Sequence, residues 1–540
     1  MTIGTEGACF EQFWEGRSLD ALLVDAALRA PDKIAVVADR VDREIAQRIT
    51  YRELDLRVER CARAFKAIGV GENDIVTVQL PNWSEFVVII FACARIGAII
   101  NPVMPILRER ELTYVLNFCR SKVIVIPKIY RGFDYETMVR GIRVDCAKLE
   151  RVVVVGGDDA DSYANLVEKR PMEIGNRLPS LQKPGAVSVL MFTSGTTGTP
   201  KGVMHSANSL VACLRALATR FGLNADDVLL AASPMGHMTG FAAATLLACY
   251  LGGKIVLQDV WDPVRAITIA QREGVSYIPG ATPFLVDICE SVAGGAPRPD
   301  SLRLFLCGGA PIPSVLVERA GSELGVAVCS LWGMTETLSA TLTEPSRAVE
   351  KSPTTDGRPL EGMEVKIIDA NGAVAPVNVT GPLLVRGAHM FSGYFKRPDI
   401  EPFDAEGWFD SGDLACRDEE GYIRISGRVK DVIIRGGENI PVVEIENLLY
   451  AHPAIAAVAL VGYPDARLGE RSCAFIAPRE GESVDLDTVR TYLAGCKVTK
   501  QFWPERVEIV GEMPRTASGK IQKFRLREMA KEFGANKVST

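Results

Sequence analysis

Before residue 400, short runs of β-branched and aliphatic residues alternate with longer stretches of helical periodicity. Residues 75–80 predict a strand, and Pro81-Asn82 then leads into an apolar helix that begins near Ser84. The runs 123–126, 152–155, 187–192 and 302–307 predict further strands. Nearly continuous apolar strands separated by helices indicate mixed or parallel sheets covered on both faces, an α/β architecture. Over residues 364–387 the strands shorten and turn signals such as Asn371-Gly372 intervene, which predicts a small mixed or barrel-like β subdomain. A turn-rich stretch, 407–421, precedes a boundary at Arg428-Val429-Lys430. The expected division is a large N-terminal domain, residues 1–429, and a small mobile α+β domain, residues 430–540, with a helix at 442–449 and strands at 456–461 and 473–477. The tail after Lys531 is polar and reads as loose. Two apolar runs, 86–93 and 241–251, fall short of the roughly 20 residues a bilayer demands and read as buried helices.

Composition narrows the classes of function. A chain of 540 residues exceeds one compact core, and 47% hydrophobic with 24% charged residues is ordinary for a well-packed protein. A net charge of -6, with no basic stripe, disfavours a nucleic-acid partner. The 13 cysteines are scattered singly with no CxxC pair, which argues against a disulfide framework or a zinc ribbon. Free thiols in a reducing, cytoplasmic setting are the expectation. Residues 1–20 are acidic and lack a long apolar stretch, unlike a secretory signal.

The densest chemical signal is Thr193-Ser194-Gly195-Thr196-Thr197-Gly198-Thr199-Pro200-Lys201-Gly202, directly after an apolar strand. Glycines let backbone N–H groups converge on a phosphate, hydroxyls donate to it, and a lysine supplies charge. A plain solvent-exposed turn explains a shorter version, but hardly so dense a run. Nor is this a Walker A loop. Pro200 stands where the second glycine belongs, and Gly202 where Ser or Thr should hold magnesium.

The loop resembles the signature of the adenylate-forming superfamily, which includes acyl-CoA synthetases, peptide-synthetase adenylation domains and beetle luciferases. Further matches follow in that family's order: Gly308-Gly309-Ala310-Pro311, Trp332-Gly333-Met334-Thr335-Glu336-Thr337 and Gly407-Trp408-Phe409-Asp410-Ser411-Gly412-Asp413. After them come Gly427-Arg428-Val429-Lys430-Asp431, Arg435-Gly436-Gly437-Glu438-Asn439 and Pro514-Arg515-Thr516-Ala517-Ser518-Gly519-Lys520.

The resemblance implies a role for each motif. A carboxylate attacks the α-phosphate of ATP, pyrophosphate leaves, and a thiol then takes the acyl group from AMP. Two anions must approach, so cationic compensation should dominate. Thr193, Ser194, Gly195, Thr196, Thr197, Gly198 and Lys201 would hold the β- and γ-phosphates. Thr335 would contact the α-phosphate, and Glu336 would help bind Mg²⁺. Asp413 would accept from both ribose hydroxyls with Arg428 nearby. Gly308, Gly309, Ala310, Trp332 and Gly333 would flank adenine, although Trp332 replaces the family's usual tyrosine and loses its hydroxyl. Lys520 would bridge the reacting carboxylate and phosphate, Lys430 would be the hinge of the small domain, and Gly436-Gly437 would face the thiol arm.

The acyl pocket is assigned to His237, Gly240, Phe241 and Met334, with Gly236, Gly240 and Gly308-Gly309 expected to leave room in its walls. A packing or gating role suits His237 better than proton transfer. His205 reads as structural, with Ser206 capping the next helix and Ala207 where the family often has histidine. The segment 235–241 has no carboxylate for an α-ammonium group, which disfavours amino acids and leaves medium-chain, alicyclic or aromatic acids. The implied enzyme is an AMP-forming acid–CoA ligase using ATP, Mg²⁺ and coenzyme A, its oligomeric state open, a homodimer among the options. The alternatives are an adenylating enzyme that loads a carrier-protein thiol, which the lack of a carrier domain after Lys520 disfavours, and a non-catalytic nucleotide-binding protein, which would have no need of Lys520 or Glu336.

Overall fold

The computed structural model describes residues 10–170, 177–193, 200–309, 312–435, 438–465, 467–516 and 520–535. Two large sheets carry most of the chain before residue 360. One has nine strands, with a parallel centre formed by Ala327–Met334, Leu304–Gly308, Tyr277–Gly280, Val228–Ala231, Lys254–Gln258 and Ile34–Asp39. Antiparallel strands flank it at both edges. The other has six strands, parallel except where Val187–Thr193 meets Lys201–Ser206 as a hairpin.

Alternation along the strands explains the layering. In Ile34–Asp39, Val36 and Ala38 enter the main core between the two sheets, whereas Val37 enters a second core on the outer face. In Val123–Pro127, Val123 and Val125 point to the main core, and Ile124 and Ile126 to a third. With an apolar core on each side, the strands read as unbroken hydrophobic runs. The predicted apolar helix is Ser84–Ile96, and it contributes Phe86 through Ala94 to the main core, so polar residues on it must be paired. Arg95 is fully buried and bonds to Asp20, Asp55 and Glu59 at 2.6–3.0 Å. Among the described residues, no helix is long and apolar enough to cross a membrane.

The β subdomain is an antiparallel sheet of Met363–Ile367, Gly381–Gly387, Phe409–Arg417 and Ile423–Arg428, in that order. Its order is that of an open meander. The single 3-10 turn Val429–Asp431, which contains Lys430, follows it directly. Beyond lies a sheet built on the long pair Ile455–Asp465 and Gly469–Pro478, with helices Val442–Tyr450, Leu486–Gly495 and Lys523–Ala535. Both of its hydrophobic cores draw on residues after 432 alone.

Candidate active site

The site lies where loops leave the C-terminal edges of the parallel strands, the usual place for a ligand in such a sheet. Lys201 is paired with Thr193 across the mouth of the hairpin. On the other side of its strand, the N–H of Met204 donates to the Gly393 carbonyl (3.1 Å) and that of Phe395 to the Gly202 carbonyl (2.8 Å). These bonds bring Tyr394 beside Lys201, whose ammonium stands 4.6 Å from the ring centre, a cation–π contact. The Tyr394 hydroxyl donates to Glu336 Oε1 at 3.0 Å. One phenol thus joins the lysine of the glycine-rich loop to the acid of the Trp-Gly-Met-Thr-Glu motif. Tyr394 was not singled out from the sequence. The one signal for it is the Gly393-Tyr394 pair between strands Gly381–Gly387 and Phe409–Arg417 of the β subdomain.

Glu336 sits in a tight turn between strands Ala327–Met334 and Leu338–Leu342. Thr337 closes the turn: its Oγ1 accepts from the Met334 N–H (3.1 Å) and its own N–H donates to the Met334 carbonyl (3.2 Å). Gly333 is obligatory, because a Cβ there would stand 1.9 Å from the Leu338 carbonyl oxygen. Below the turn, buried His205 donates from Nε2 to the Thr335 carbonyl at 2.7 Å. Its Nδ1, 3.1 Å from the Ser209 hydroxyl, is then an acceptor. Burial pushes the imidazole down to about 4, so it stays neutral. The structural reading of His205 therefore acquires a definite object, the Thr335-Glu336 turn. Ser206 caps the following helix by accepting from the Ser209 N–H at 3.2 Å.

Asp413, almost fully buried, is gripped from two sheets. Its cross-strand partner Arg428 reaches Oδ1 through Nε at 3.0 Å, and the Trp332 indole N–H donates to Oδ2 at 2.8 Å. Burial holds its carboxyl above the ordinary range, while Arg428, Trp332 and Lys520 pull it back. Trp332 is thus more than an adenine wall lacking a hydroxyl, because its ring nitrogen replaces the lost polar atom with a different donor.

Lys520 arrives from the C-terminal part. Its loop is closed by the Thr516 N–H donating to the Lys520 carbonyl (2.7 Å) and the Lys520 N–H donating to Thr516 Oγ1 (3.1 Å). The side chain passes directly over Gly309, where a Cβ would meet Lys520 Cε at 2.9 Å. Gly309 also has φ +87°, a conformation other residues rarely adopt, so both space and backbone call for glycine. Burial and Arg428 push the Lys520 ammonium below its ordinary pKa, against the pull of Asp413 and Glu336.

The half-buried His237 begins a short turn, its Nδ1 accepting from the Thr239 N–H at 3.3 Å. Burial and the charge of Lys520 push it down to about 4. The expected room beside it is absent. A Cβ on Gly240 would lie 2.3 Å from the Ser233 carbonyl, one on Gly236 2.9 Å from the Met104 nitrogen, and one on Gly308 2.9 Å from the Leu331 carbonyl. These glycines let backbones touch; they do not hollow a wall. Phe241 is fully buried in the main core, and the partly buried Met334 packs against Val203, Phe391 and Phe409. Ser194, Gly195, Thr196, Thr197, Gly198, Ala310, Gly436 and Gly437 lie outside the described residues, as does the side chain of Lys430.

Known proteins agree with this arrangement. The family model described as AMP-binding enzyme matches residues 23–395, and that of the AMP-binding enzyme C-terminal domain matches residues 444–520. The medium-chain fatty-acid–CoA ligase of Escherichia coli (strain K12) is 34% identical over 95% of this chain and 91% of its own length. The salicyl-AMP ligase / salicyl-S-ArCP synthetase of Mycobacterium tuberculosis (strain ATCC 25618 / H37Rv) is 34% identical over 97% and 92%. The crystal structure of ATP-bound MatB from Rhodopseudomonas palustris superimposes with a TM-score of 0.84 at 27% identity, covering 96% of this chain and 99% of that one. With both family models matched in order and a relative 34% identical over nearly the whole chain, the chain belongs to the AMP-binding enzymes, the adenylate-forming family of acid ligases.

Proposed function

We propose that this enzyme is an AMP-forming acid–CoA ligase: acid and ATP give acyl-adenylate and pyrophosphate, and the CoA thiol then gives acyl-CoA and AMP. The observation that carries the reading is the position of Lys520. A lysine from a separately cored segment is placed over Gly309, within the electrostatic reach of Asp413, Glu336 and Arg428. A cation there offsets the repulsion between carboxylate and α-phosphate. The β- and γ-phosphates go to Lys201, Thr193 and the loop between them, the α-phosphate to Thr335, and the ribose to Asp413.

Glu336 suits a hard cation. It is a carboxylate with one oxygen tied to Tyr394, and the other accepts no hydrogen bond among the described residues. A hard cation of this kind takes oxygen ligands, and substrate phosphates and water would supply the rest of its shell. The ion would neutralise phosphate charge beside Glu336.

The likeness to the Escherichia coli medium-chain ligase supports CoA and an apolar acid. The equally similar Mycobacterium tuberculosis relative supports the second reading, an aryl acid loaded onto a carrier protein. A panel of linear, cyclic and aromatic acids in ATP–pyrophosphate exchange, followed by CoA or carrier proteins as acceptor, decides both questions. AMP is the expected nucleotide product; ADP would overturn the reading. The hinge is assigned to Lys430 at the junction of domains 1–429 and 430–540, with the Gly436-Gly437 loop serving the thiol step. Lys430→Pro should slow thioester formation and leave adenylation nearly intact. Normal turnover by that variant would remove the hinge from Lys430.

A further inference from the structure

Among the described residues Asp413 has two protein donors, and they come from different sheets. Arg428 is its neighbour in the β meander, while Trp332 projects from strand Ala327–Met334 of the nine-stranded sheet. An ionised carboxylate offers roughly four lone-pair sites. Arg428 takes one on Oδ1 and Trp332 one on Oδ2, leaving one on each oxygen. A ribose carries two vicinal hydroxyls, so the vacancies match its donors in number. The carboxylate cannot rotate about its Cβ–Cγ bond without breaking one of the two protein bonds. In a buried setting that loss is expensive.

We propose that Trp332 is a positioning residue. Its indole N–H sets the rotation of the Asp413 carboxylate, and thereby decides how sharply the enzyme separates a ribonucleotide from its deoxy analogues. The proposal rests on the reading that Asp413 receives the ribose. It assigns Trp332 a task that stacking on adenine does not cover. Stacking acts on the base and treats every adenine nucleotide alike. Orientation of Asp413 acts only on nucleotides whose sugar hydroxyls reach it. A phenylalanine retains a ring and has no donor. A tyrosine carries its O–H at the para tip, away from the position of the indole nitrogen.

The test uses the full-length enzyme in acid-dependent ATP–pyrophosphate exchange with ATP, 2′-deoxyATP and 3′-deoxyATP. Wild type, Trp332→Phe, Trp332→Tyr and Asp413→Ala are compared through kcat/KM for each nucleotide. The expected result for Trp332→Phe is an about tenfold loss of the preference for ATP over the deoxy forms, the size expected for one hydrogen bond to a charged group. The loss should appear in KM for ATP, with the deoxy nucleotides changing much less. Should Trp332→Phe fail to fold, Trp332→Tyr reports the same ratio. An equal fall for all three nucleotides, or an unchanged preference, overturns the proposal and returns Trp332 to being a wall of the adenine pocket. If Asp413→Ala itself leaves the wild-type preference intact, the ribose is not at Asp413 and the underlying reading fails instead.

Discussion

The two halves of the site are held in opposite ways. Asp413, Glu336 and the Thr335 turn are fixed within the large body by a buried bond to Trp332 and by partly buried bonds to Arg428, Tyr394 and His205. Lys520 belongs to a segment whose cores share no residue with that body, and an ion pair between that segment and helix Thr282–Ala293, Arg479 with Glu290 at 3.1 Å, is half-exposed on both sides. The groups proposed to bind the nucleotide are therefore costly to displace, whereas the lysine proposed to act in adenylation rides on a segment with its own cores. A reaction with two successive partners, first a carboxylate and then a thiol, is served by such an asymmetry: the adenylate stays fixed while the element beside it changes.

The largest test of this contrast is Lys520→Ala. Acid-dependent pyrophosphate exchange should fall by about 10²–10³-fold, the range for removing a preorganised charge-stabilising group. Thioester formation from supplied acyl-adenylate should be largely spared. Equal loss in both half-reactions would mean that Lys520 belongs to the fixed half.

Acid should attack the fixed half first. His205 and His389 are fully buried, and burial lowers both from the ordinary 6.5 to about 4. His389 donates from Nδ1 to the Ser339 carbonyl at 2.9 Å, while its Nε2 is buried without a partner among the described residues. The unfolded chain takes up these protons near pH 6.5 and the native state only near 4. Stability is thus fully present above 6.5 and falls as pH drops between these values. From pH 6.5 to 4.5 each histidine should cost about 2–3 kcal/mol. Urea unfolding across this range should show the slope, and His389→Gln should lessen it by one proton. A flat profile for the wild type would contradict the buried neutral imidazoles.

Tyr394→Phe removes the donor to Glu336 while keeping the ring over Lys201. Exchange activity should fall roughly fivefold to tenfold, partly recovered at high Mg²⁺. No recovery would indicate that the phenol supports packing and not the acid. The smallest effect is expected from Arg479→Ala. An exposed pair contributes little, so adenylation should change by less than about threefold. A large loss would show the moving half to be more firmly latched than its contacts suggest.

Much of this was legible beforehand because it is written in local pattern. The apolar strands at 123–126 and 187–192, the helix from Ser84 and the ordered glycine, threonine and lysine motifs each follow from neighbouring residues and the period of burial. Acyl-pocket space was misread because a glycine in a list of residues does not disclose what faces it. At Gly236, Gly240 and Gly308 the facing atoms belong to another part of the backbone. Tyr394 escaped notice for a related reason: it lies 58 residues from Glu336, and its bridge to Val203 together with the bond from the Phe391 N–H to the Glu336 carbonyl brings the two together.

The sequence by itself determined the layered α/β core, the motif order and hence the family, since alternation and short motifs act over a few residues. Tertiary structure alone decided that the Trp332 indole would hold Asp413, that His205 would support the Thr335 turn, and that Lys520 would pass over Gly309. Hydrogen bonds and close contacts between distant segments depend on distances of a few ångströms, and the fold sets those distances only once every layer is packed.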